Sequence, residues 1–279
     1  MAETQKSSVT GRGTEDFDPQ AVAEIRSRLQ SVHRDGIRIG FAIESGSRAW
    51  GFPSPDSDYD CRFVYVRPLN DHLRLRAARD VIEFPIVGDI DTGGWDLKKA
   101  LLLALKGNAV LVEWLKSPIV YEEEAGFRDR LGTLLDEIMV PGKVAQHYVG
   151  LFRQQWTLQE GAPIRLKKLL YALRPAIALE WMRQRSFVAL PPMNMMECLE
   201  TTEIDSTLRH AIIELVEVKK QTREMGEGKP PVQIDRFLGD IAERYRDLSL
   251  PSQRDNDEET AAHHLADKFY LQEVLSRKG

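Results

Sequence analysis

Apolar and polar residues follow two different periods along this chain, and the change of period divides it into two parts. Between residues 37 and 121, apolar residues form short runs or alternate with polar ones, which predicts strands. Beyond Tyr121 they recur at three- and four-residue spacing, which predicts helices. We therefore expect an α+β (α/β) protein in which a mixed sheet with flanking helices is followed by a helical bundle.

The first part contains one clear helix before its strands. Val22, Ile25, Leu29 and Val32 predict a helix over 19–34, and Asp18 is suited to be its N-cap. The predicted strands are 37–44, 58–67, 81–84, 86–91 and an edge strand at 119–121. Gly93-Gly94 is expected to break the chain before one or two helices over 95–116, with an interruption near Gly107-Asn108.

The second part is predicted to be helical throughout. Breaks at proline and glycine delimit helices over 126–138, 142–160, 165–185, 203–225, 233–248 and 257–277. These elements suggest a disordered lead over 1–18, a sheet domain over 19–125 and a helical domain over 126–279. The boundary is expected somewhere between 122 and 141.

Composition limits the kind of protein this can be. Residues 1–18 lack the apolar core of a signal peptide, and no apolar run is long enough to span a bilayer. A cytoplasmic protein without a membrane partner is expected, in which Cys61 and Cys198 are reduced thiols. The net charge of −5 argues against a general nucleic-acid coat protein. Residues 143–185, however, carry eight basic and two acidic residues, which indicates a local anion site.

The first candidate for chemistry is the turn Gly46-Ser47, where a buried strand ends and a short helix could begin at Arg48. Glycine lets the backbone approach a ligand closely, and free N–H groups with a serine hydroxyl can receive phosphate. An isolated Gly-Ser pair is more often an ordinary strand-to-helix turn.

The second candidate follows after a short polar loop. Asp58 and Asp60 are separated by one residue at the start of a predicted strand, so both side chains point to the same face. Two converging carboxylates suit a divalent cation such as Mg²⁺, although a solvated strand end is the simpler alternative. Arg62 shares that face and Arg48 lies nearby, so either could contact a phosphate or pair with the carboxylates.

Together these motifs resemble the nucleotidyltransferase superfamily of DNA polymerase β, whose signature is Gly-Ser, a spacer and Asp-x-Asp. Further blocks are similar to the predicted nucleotidyltransferases associated with bacterial and phage RNA repair. They are residues 91–97, Asn108 with 113–115, 117–121 and 167–175. The resemblance covers roughly residues 37 to 200.

The resemblance implies a third carboxylate on a neighbouring strand. Asp91 is the preferred candidate and Asp89 the alternative, whereas Asp96 is better explained as a carboxylate in the first turn of a helix. It also implies two Mg²⁺ (or Mn²⁺) ions held by Asp58, Asp60 and Asp91. The expected reaction transfers a nucleoside monophosphate from a nucleoside triphosphate such as ATP to a hydroxyl, with RNA as the expected acceptor.

A basic helical face could complete the site. Lys167, Tyr171 and Arg174 are spaced i, i+4, i+7 and share one face of a predicted helix, bordered by Lys168. Lys143 lies on the preceding helix. These side chains could hold the triphosphate or the acceptor backbone, or form an ordinary solvated face. A protein or small-molecule acceptor, and a nucleotide sensor without turnover, remain as alternative functions.

Overall fold

The computed structural model describes residues 9–156, 164–223, 225–246 and 254–276. Its main sheet has six strands in the order β1-β6-β2-β3-β5-β4. Their bounds are β1 Val9–Arg12, β2 Arg38–Ser45, β3 Tyr59–Val66, β4 Val81–Glu83, β5 Ile90–Asp96 and β6 Val120–Glu123. A small second sheet pairs β7 Ile164–Arg165 with β8 Glu227–Gly228.

Helices flank the sheet and make up most of the chain beyond it. The first five are α1 Pro19–Arg34, α2 Ser47–Trp50, α3 Leu69–His72, α4 Leu97–Leu105 and α5 Ala109–Leu115. The others are α6 Phe127–Ile138, α7 Pro141–Gln155, α8 Leu166–Gln184, α9 Met195–Glu200, α10 Ser206–Gln221, α11 Val232–Arg244 and α12 Asn256–Leu275. The predicted mixed sheet followed by helices is therefore confirmed. No helix in the described ranges is both long and apolar enough to cross a bilayer.

Local sequence signals explain where the helices begin. The Asp18 carboxylate accepts a hydrogen bond from the backbone N–H of Gln20 at 2.8 Å and caps α1, as predicted. Asp96 caps α4 in the same way through Lys98, also at 2.8 Å, which confirms its assignment to the first turn of a helix.

The sheet separates two hydrophobic clusters. On one face, α1 packs Ile25 and Leu29 against the strands in a cluster that contains Cys61 and Phe63. On the other face, a larger cluster runs from Phe41 through the helices to Val274. Because this cluster is continuous across residue 125, the two predicted domains share one core, and their boundary remains a prediction. Both cysteines are buried and free, as expected.

The strand predictions need three corrections. Val9–Arg12, predicted as part of a disordered lead, pairs with β6, while residues 1–8 of that lead lie outside the described residues. As a result β6 lies between β1 and β2 and is not an edge strand. The predicted strand 86–91 is replaced by β5 at Ile90–Asp96, which runs through Gly93-Gly94.

The last correction has a packing reason. A Cβ atom on Gly94 would lie 2.3 Å from the Phe63 ring, so this glycine allows strand and ring to pack closely instead of forming a turn. The helix α9 was not predicted, and the predicted helix ends at 157–160, 248 and 277 lie outside the described residues.

The pairing register of the strands brings the candidate site residues together. β3 and β5 are parallel, and their pairing sets Asp60 beside Asp91. The antiparallel pairing of β2 and β3 sets Ser45 beside Asp60. Since Cys61 and Phe63 face α1, alternation directs Asp60 and Arg62 to the opposite face of the sheet.

Candidate active site

The turn between β2 and α2 depends on Gly46. Its backbone has φ 76° and ψ −159°, a conformation that residues with side chains rarely adopt. A Cβ atom there would lie 2.1 Å from Oδ2 of Asp60, so the Asp60 carboxylate lies directly against the Gly46 backbone. Glycine is therefore needed both for the turn and for the close approach of the carboxylate.

Three serines fold the following loop onto this turn. Ser47 is buried, and its hydroxyl donates to Oγ of Ser57 at 2.9 Å. The same Ser57 oxygen accepts from the backbone N–H of Ser54 at 2.8 Å and lies 3.0 Å from the Ser54 hydroxyl. The Gly-Ser turn is thereby connected through hydroxyl groups to the loop that precedes β3.

Arg48 holds the other end of this loop. Its guanidinium donates to the carbonyl oxygens of Ser57 at 2.6 Å and Asp58 at 3.1 Å, and it lies 4.0 Å from the centre of the Tyr59 ring. Arg48, a candidate for nucleotide binding, therefore secures the backbone that carries Asp58.

The carboxylates gather around Arg62. Its guanidinium lies 2.5 Å from Oδ2 of Asp91 and 3.6 Å from Oδ1 of Asp60. Asp58, predicted as the first residue of this strand, is exposed and lies immediately before β3. Burial raises the pKa of Asp60, the negative charges of Asp58 and Asp91 raise it further, and Arg62 opposes the shift. The site therefore concentrates negative charge that one arginine offsets in part.

Asp91 and its alternative, Asp89, differ in their placement. Asp91 lies in β5 beside Asp60, whereas Asp89 is exposed in the preceding turn, where its carbonyl accepts from the backbone N–H of Tyr59 at 2.7 Å. Asp89 is thus outside the strand on which it was expected, and Asp91 is the better placed of the two.

Glu44 forms the buried floor of the site. One carboxylate oxygen accepts from the backbone N–H of Asp60 at 2.9 Å and the other from the Tyr121 hydroxyl at 2.5 Å. Burial raises the pKa of Glu44 to about 8. Glu44 therefore links the backbone of Asp60 to the Tyr121 side chain.

The donor set has the chemistry of a site for hard cations, because the groups that converge are carboxylate oxygens. It is not preassembled: no three His, Cys, Asp or Glu side chains among the described residues are grouped so as to hold a metal ion. Arg62 pairs with Oδ2 of Asp91. The residues fit Mg²⁺ or Mn²⁺ in chemistry, and a cation bound through that oxygen would compete with Arg62.

The three residues of the basic helical face, Lys167, Tyr171 and Arg174, lie in different surroundings. Tyr171 packs against the rings of Trp50 and Phe52, with centroids 5.7 and 6.3 Å away. Burial raises the Tyr171 pKa, and the negative charges of Asp60 and Asp58 contribute to that shift. Arg174, one turn on, instead forms a buried ion pair with Glu113 and lies 4.2 Å from the centre of the Trp50 ring.

The candidate lysines do not share one site. Lys167 lines a cavity of about 450 Å³ together with Ser54 and Asp56, and Lys168, the next residue of α8, is exposed. Lys143 lies in another cavity, where its ammonium is 3.3 Å from Oε2 of Glu259.

The cavity around Lys167 contains three cations that the sequence reasoning missed, namely Arg165, Lys219 and Arg223. Lys219 is only 1% exposed and donates to the carbonyl oxygen of Phe52 at 2.7 Å. Burial lowers its pKa to about 8, and the charge of Lys167 contributes. Lys219 continues the helical spacing of the buried residues Leu208, Ile212 and Leu215 on α10, and this spacing is the signal that could have marked it as buried. We refer to the cavity lined by Arg165, Lys167, Lys219 and Arg223 as the cationic cavity.

Comparison with known proteins identifies relatives of this chain. Residues 22–272 match the model of a family described as RlaP, the RNA repair pathway DNA polymerase beta family. The Uncharacterized protein YcgL of Bacillus subtilis (strain 168) is 38% identical over 207 residues, which cover 74% of this chain and 78% of that protein. A nucleotidyltransferase-like protein from Exiguobacterium sibiricum 255-15 aligns with 93% of this chain and 80% of its own, at 11% identity and a TM-score of 0.30.

Proposed function

Because this chain belongs to the RNA repair pathway DNA polymerase beta family, we propose that it is a metal-dependent nucleotidyltransferase acting on RNA. It transfers a nucleoside monophosphate from a nucleoside triphosphate to an RNA hydroxyl and releases pyrophosphate. The observation that carries the proposal is the register of β3 and β5, which sets Asp60 beside Asp91 while the Gly46 backbone lies against Asp60.

The chemistry is a displacement at phosphorus. The acceptor hydroxyl oxygen forms a bond to the α-phosphorus, and the bond from that phosphorus to the oxygen bridging to the β-phosphorus breaks. The electron pair leaves with pyrophosphate, and the hydroxyl proton passes to the Asp91 carboxylate and then to water. Positioning and electrostatic stabilisation are the main contributions that a protein makes to such a reaction.

Asp58, Asp60 and Asp91 would hold the two Mg²⁺ or Mn²⁺ ions. When bound, such ions lower the pKa of the attacking hydroxyl and neutralise charge on the leaving group. Glu44 keeps Asp60 in place through its backbone N–H. Arg62 reduces the repulsion between Asp60 and Asp91 while no other cation is bound.

The nucleotide phosphates are assigned to the side of Ser47. The bare backbone of Gly46 permits close approach, and the Ser47 hydroxyl can turn from Ser57 to a phosphate oxygen. The cationic cavity continues from this point, since Ser54 belongs both to the serine cluster and to the cavity wall. Its four cations would bind the terminal phosphates by charge-assisted hydrogen bonds.

The test follows the labelled phosphate. The protein is incubated with each α-labelled nucleoside triphosphate, Mg²⁺ or Mn²⁺, and total RNA, with Asp60→Asn as the inactive control. We expect label in RNA for the wild type and none for the variant. Label only in protein or a small molecule would redirect the proposal to another acceptor, and absence of transfer from every nucleotide would contradict it.

A further inference from the structure

A second cavity, of about 550 Å³, opens beside the carboxylates. We call it the strand cleft. Ser45, Arg62 and Asp91 line it where it meets the proposed active site, and Gly93, Trp95 and Phe84 line it farther along β4 and β5. The strand cleft and the cationic cavity differ in charge. The cleft has one cation, Arg62, beside the carboxylates of Asp91 and Glu83, whereas four cations line the cationic cavity. The cleft is therefore unsuited to a triphosphate and suited to an uncharged part of a substrate.

One face of β5 forms a continuous stripe in this cleft. Asp91, Gly93 and Trp95 are partly exposed, whereas Thr92, Gly94 and Asp96 between them are buried. At about 3.3 Å per residue the stripe is roughly 13 Å long. It presents a carboxylate, a bare stretch of backbone and an indole ring in that order.

Gly93 has no structural reason to be glycine. Its φ lies outside the left-handed region, and a Cβ atom on it would meet the carbonyl oxygen of Ile82 at 3.6 Å, which is an ordinary contact. Gly94 differs, since its Cβ would collide with Phe63. Glycine weakens a strand, and one that packing does not require often marks the close approach of a ligand.

Trp95 offers the cleft an aromatic surface. Its ring packs on the buried Trp114, with centroids 4.2 Å apart, and remains partly exposed. The segment that leads towards β5 adds an exposed apolar side chain to the cleft, that of Ile86, which is 70% exposed. A flat apolar group can stack here while a hydroxyl on the same molecule reaches Asp91, and a nucleoside combines these two features.

We propose that the strand cleft binds the terminal nucleoside of the RNA acceptor, with its base on Trp95, its sugar over Gly93 and its hydroxyl at Asp91. This inference rests on the proposed function and deepens it by locating the acceptor end. The incoming nucleotide is then bound on the side of Ser47 and the cationic cavity, so the two substrates approach the carboxylates from different cavities.

The first test fills the cleft. Gly93→Val adds a side chain that strands favour at a position with space for it, so the protein should fold. We expect weaker binding of an oligoribonucleotide that carries a 5′ fluorescent label and a free terminal hydroxyl, measured by anisotropy. Gly93→Ala should have a smaller effect. Gly239→Ala is the control, because a Cβ atom on this helical glycine meets nothing within 4 Å and the residue does not line the strand cleft.

The second test removes the stacking surface. Trp95→Ala should weaken oligoribonucleotide binding roughly 5- to 150-fold, the range for loss of one stacked base. Binding of a non-hydrolysable nucleoside triphosphate analogue should be unchanged in both variants. Wild-type affinity for the oligoribonucleotide in Gly93→Val, no measurable binding by the wild type, or a selective loss of analogue binding would each overturn the inference.

These binding measurements do not depend on turnover. If Gly93→Val weakens binding while the wild type transfers no label, the cleft stands and the proposed reaction fails. If transfer proceeds and oligoribonucleotide binding is the same in all variants, the reaction stands and the cleft assignment fails.

Discussion

The strand carboxylates and the basic face of α8 were each predicted to contribute a group of side chains to one site, yet they differ in outcome. Asp60 and Asp91 are neighbours because two strands pair in register. Lys167, Tyr171 and Arg174 also share a face, but at 1.5 Å per residue they extend over about 10 Å. Each meets a different neighbour: the cationic cavity, the Trp50 and Phe52 rings, or Glu113. Spacing on one helix predicts a common direction and not a common ligand.

The largest effect should come from the strand side of this comparison. Asp60→Asn and Asp91→Asn each remove a charge from the proposed centre, and we expect transfer to fall more than about 1000-fold. Asp89→Asn, on the neighbouring exposed carboxylate, should retain nearly full activity. Initial rates of label transfer, with circular dichroism to check folding, measure this. Equal losses in the Asp89 and Asp91 variants would remove the distinction between them.

On the helical side, Arg174 is expected to act on stability. Arg174→Ala leaves the buried Glu113 carboxylate without its ion-pair partner, and loss of one member of a buried pair costs about 3 kcal/mol or more. Urea denaturation should show a lower free energy of unfolding. The double variant Arg174→Met with Glu113→Gln should recover part of it. If Arg174→Ala instead has wild-type stability and a raised KM for nucleotide, Arg174 binds phosphate.

Lys219 should produce an intermediate effect, on nucleotide binding. Lys219→Met keeps much of the buried volume but removes the charge, and loss of one charge-assisted hydrogen bond would raise the KM for nucleotide about 10- to 150-fold. Lys168→Met, at an exposed position on α8, serves as the control. Similar KM values in wild type and Lys219→Met would exclude the cationic cavity from nucleotide binding.

The same lysine predicts a pH dependence. Burial lowers the pKa of Lys219 to about 8, so its ammonium is charged below that pH and loses the charge above it. The KM for nucleotide should therefore rise as the pH increases through about 8. This rise should be absent in Lys219→Met, and a rise of the same size in the variant would assign it to another group.

The smallest effect is expected at Lys143. Its ammonium pairs with the partly exposed Glu259 in a separate cavity, and an exposed pair contributes about 0 to 1 kcal/mol. Lys143→Ala should leave the KM for nucleotide unchanged and lower the free energy of unfolding by no more than that amount. A clear rise in KM would extend the phosphate site to α7.

Local patterns were sufficient wherever a signal acts over a few residues. The caps Asp18 and Asp96, the helical periods and the turn at Gly46 could be recognised from the sequence because neighbouring residues determine them. Gly93-Gly94 was misjudged because glycine also signals a turn. Here the deciding contact is with Phe63, which lies thirty-one residues from Gly94 in the chain.

The sequence by itself determined the change from a sheet to helices, the shared face of Asp60 and Arg62, and the family resemblance, since these depend on spacing along one segment. Only the tertiary structure decided that Asp91 lies beside Asp60, that Arg62 contacts both, and that the buried Lys219 donates to the carbonyl oxygen of Phe52. Those relations join distant segments through register and packing. No period within a single segment encodes them.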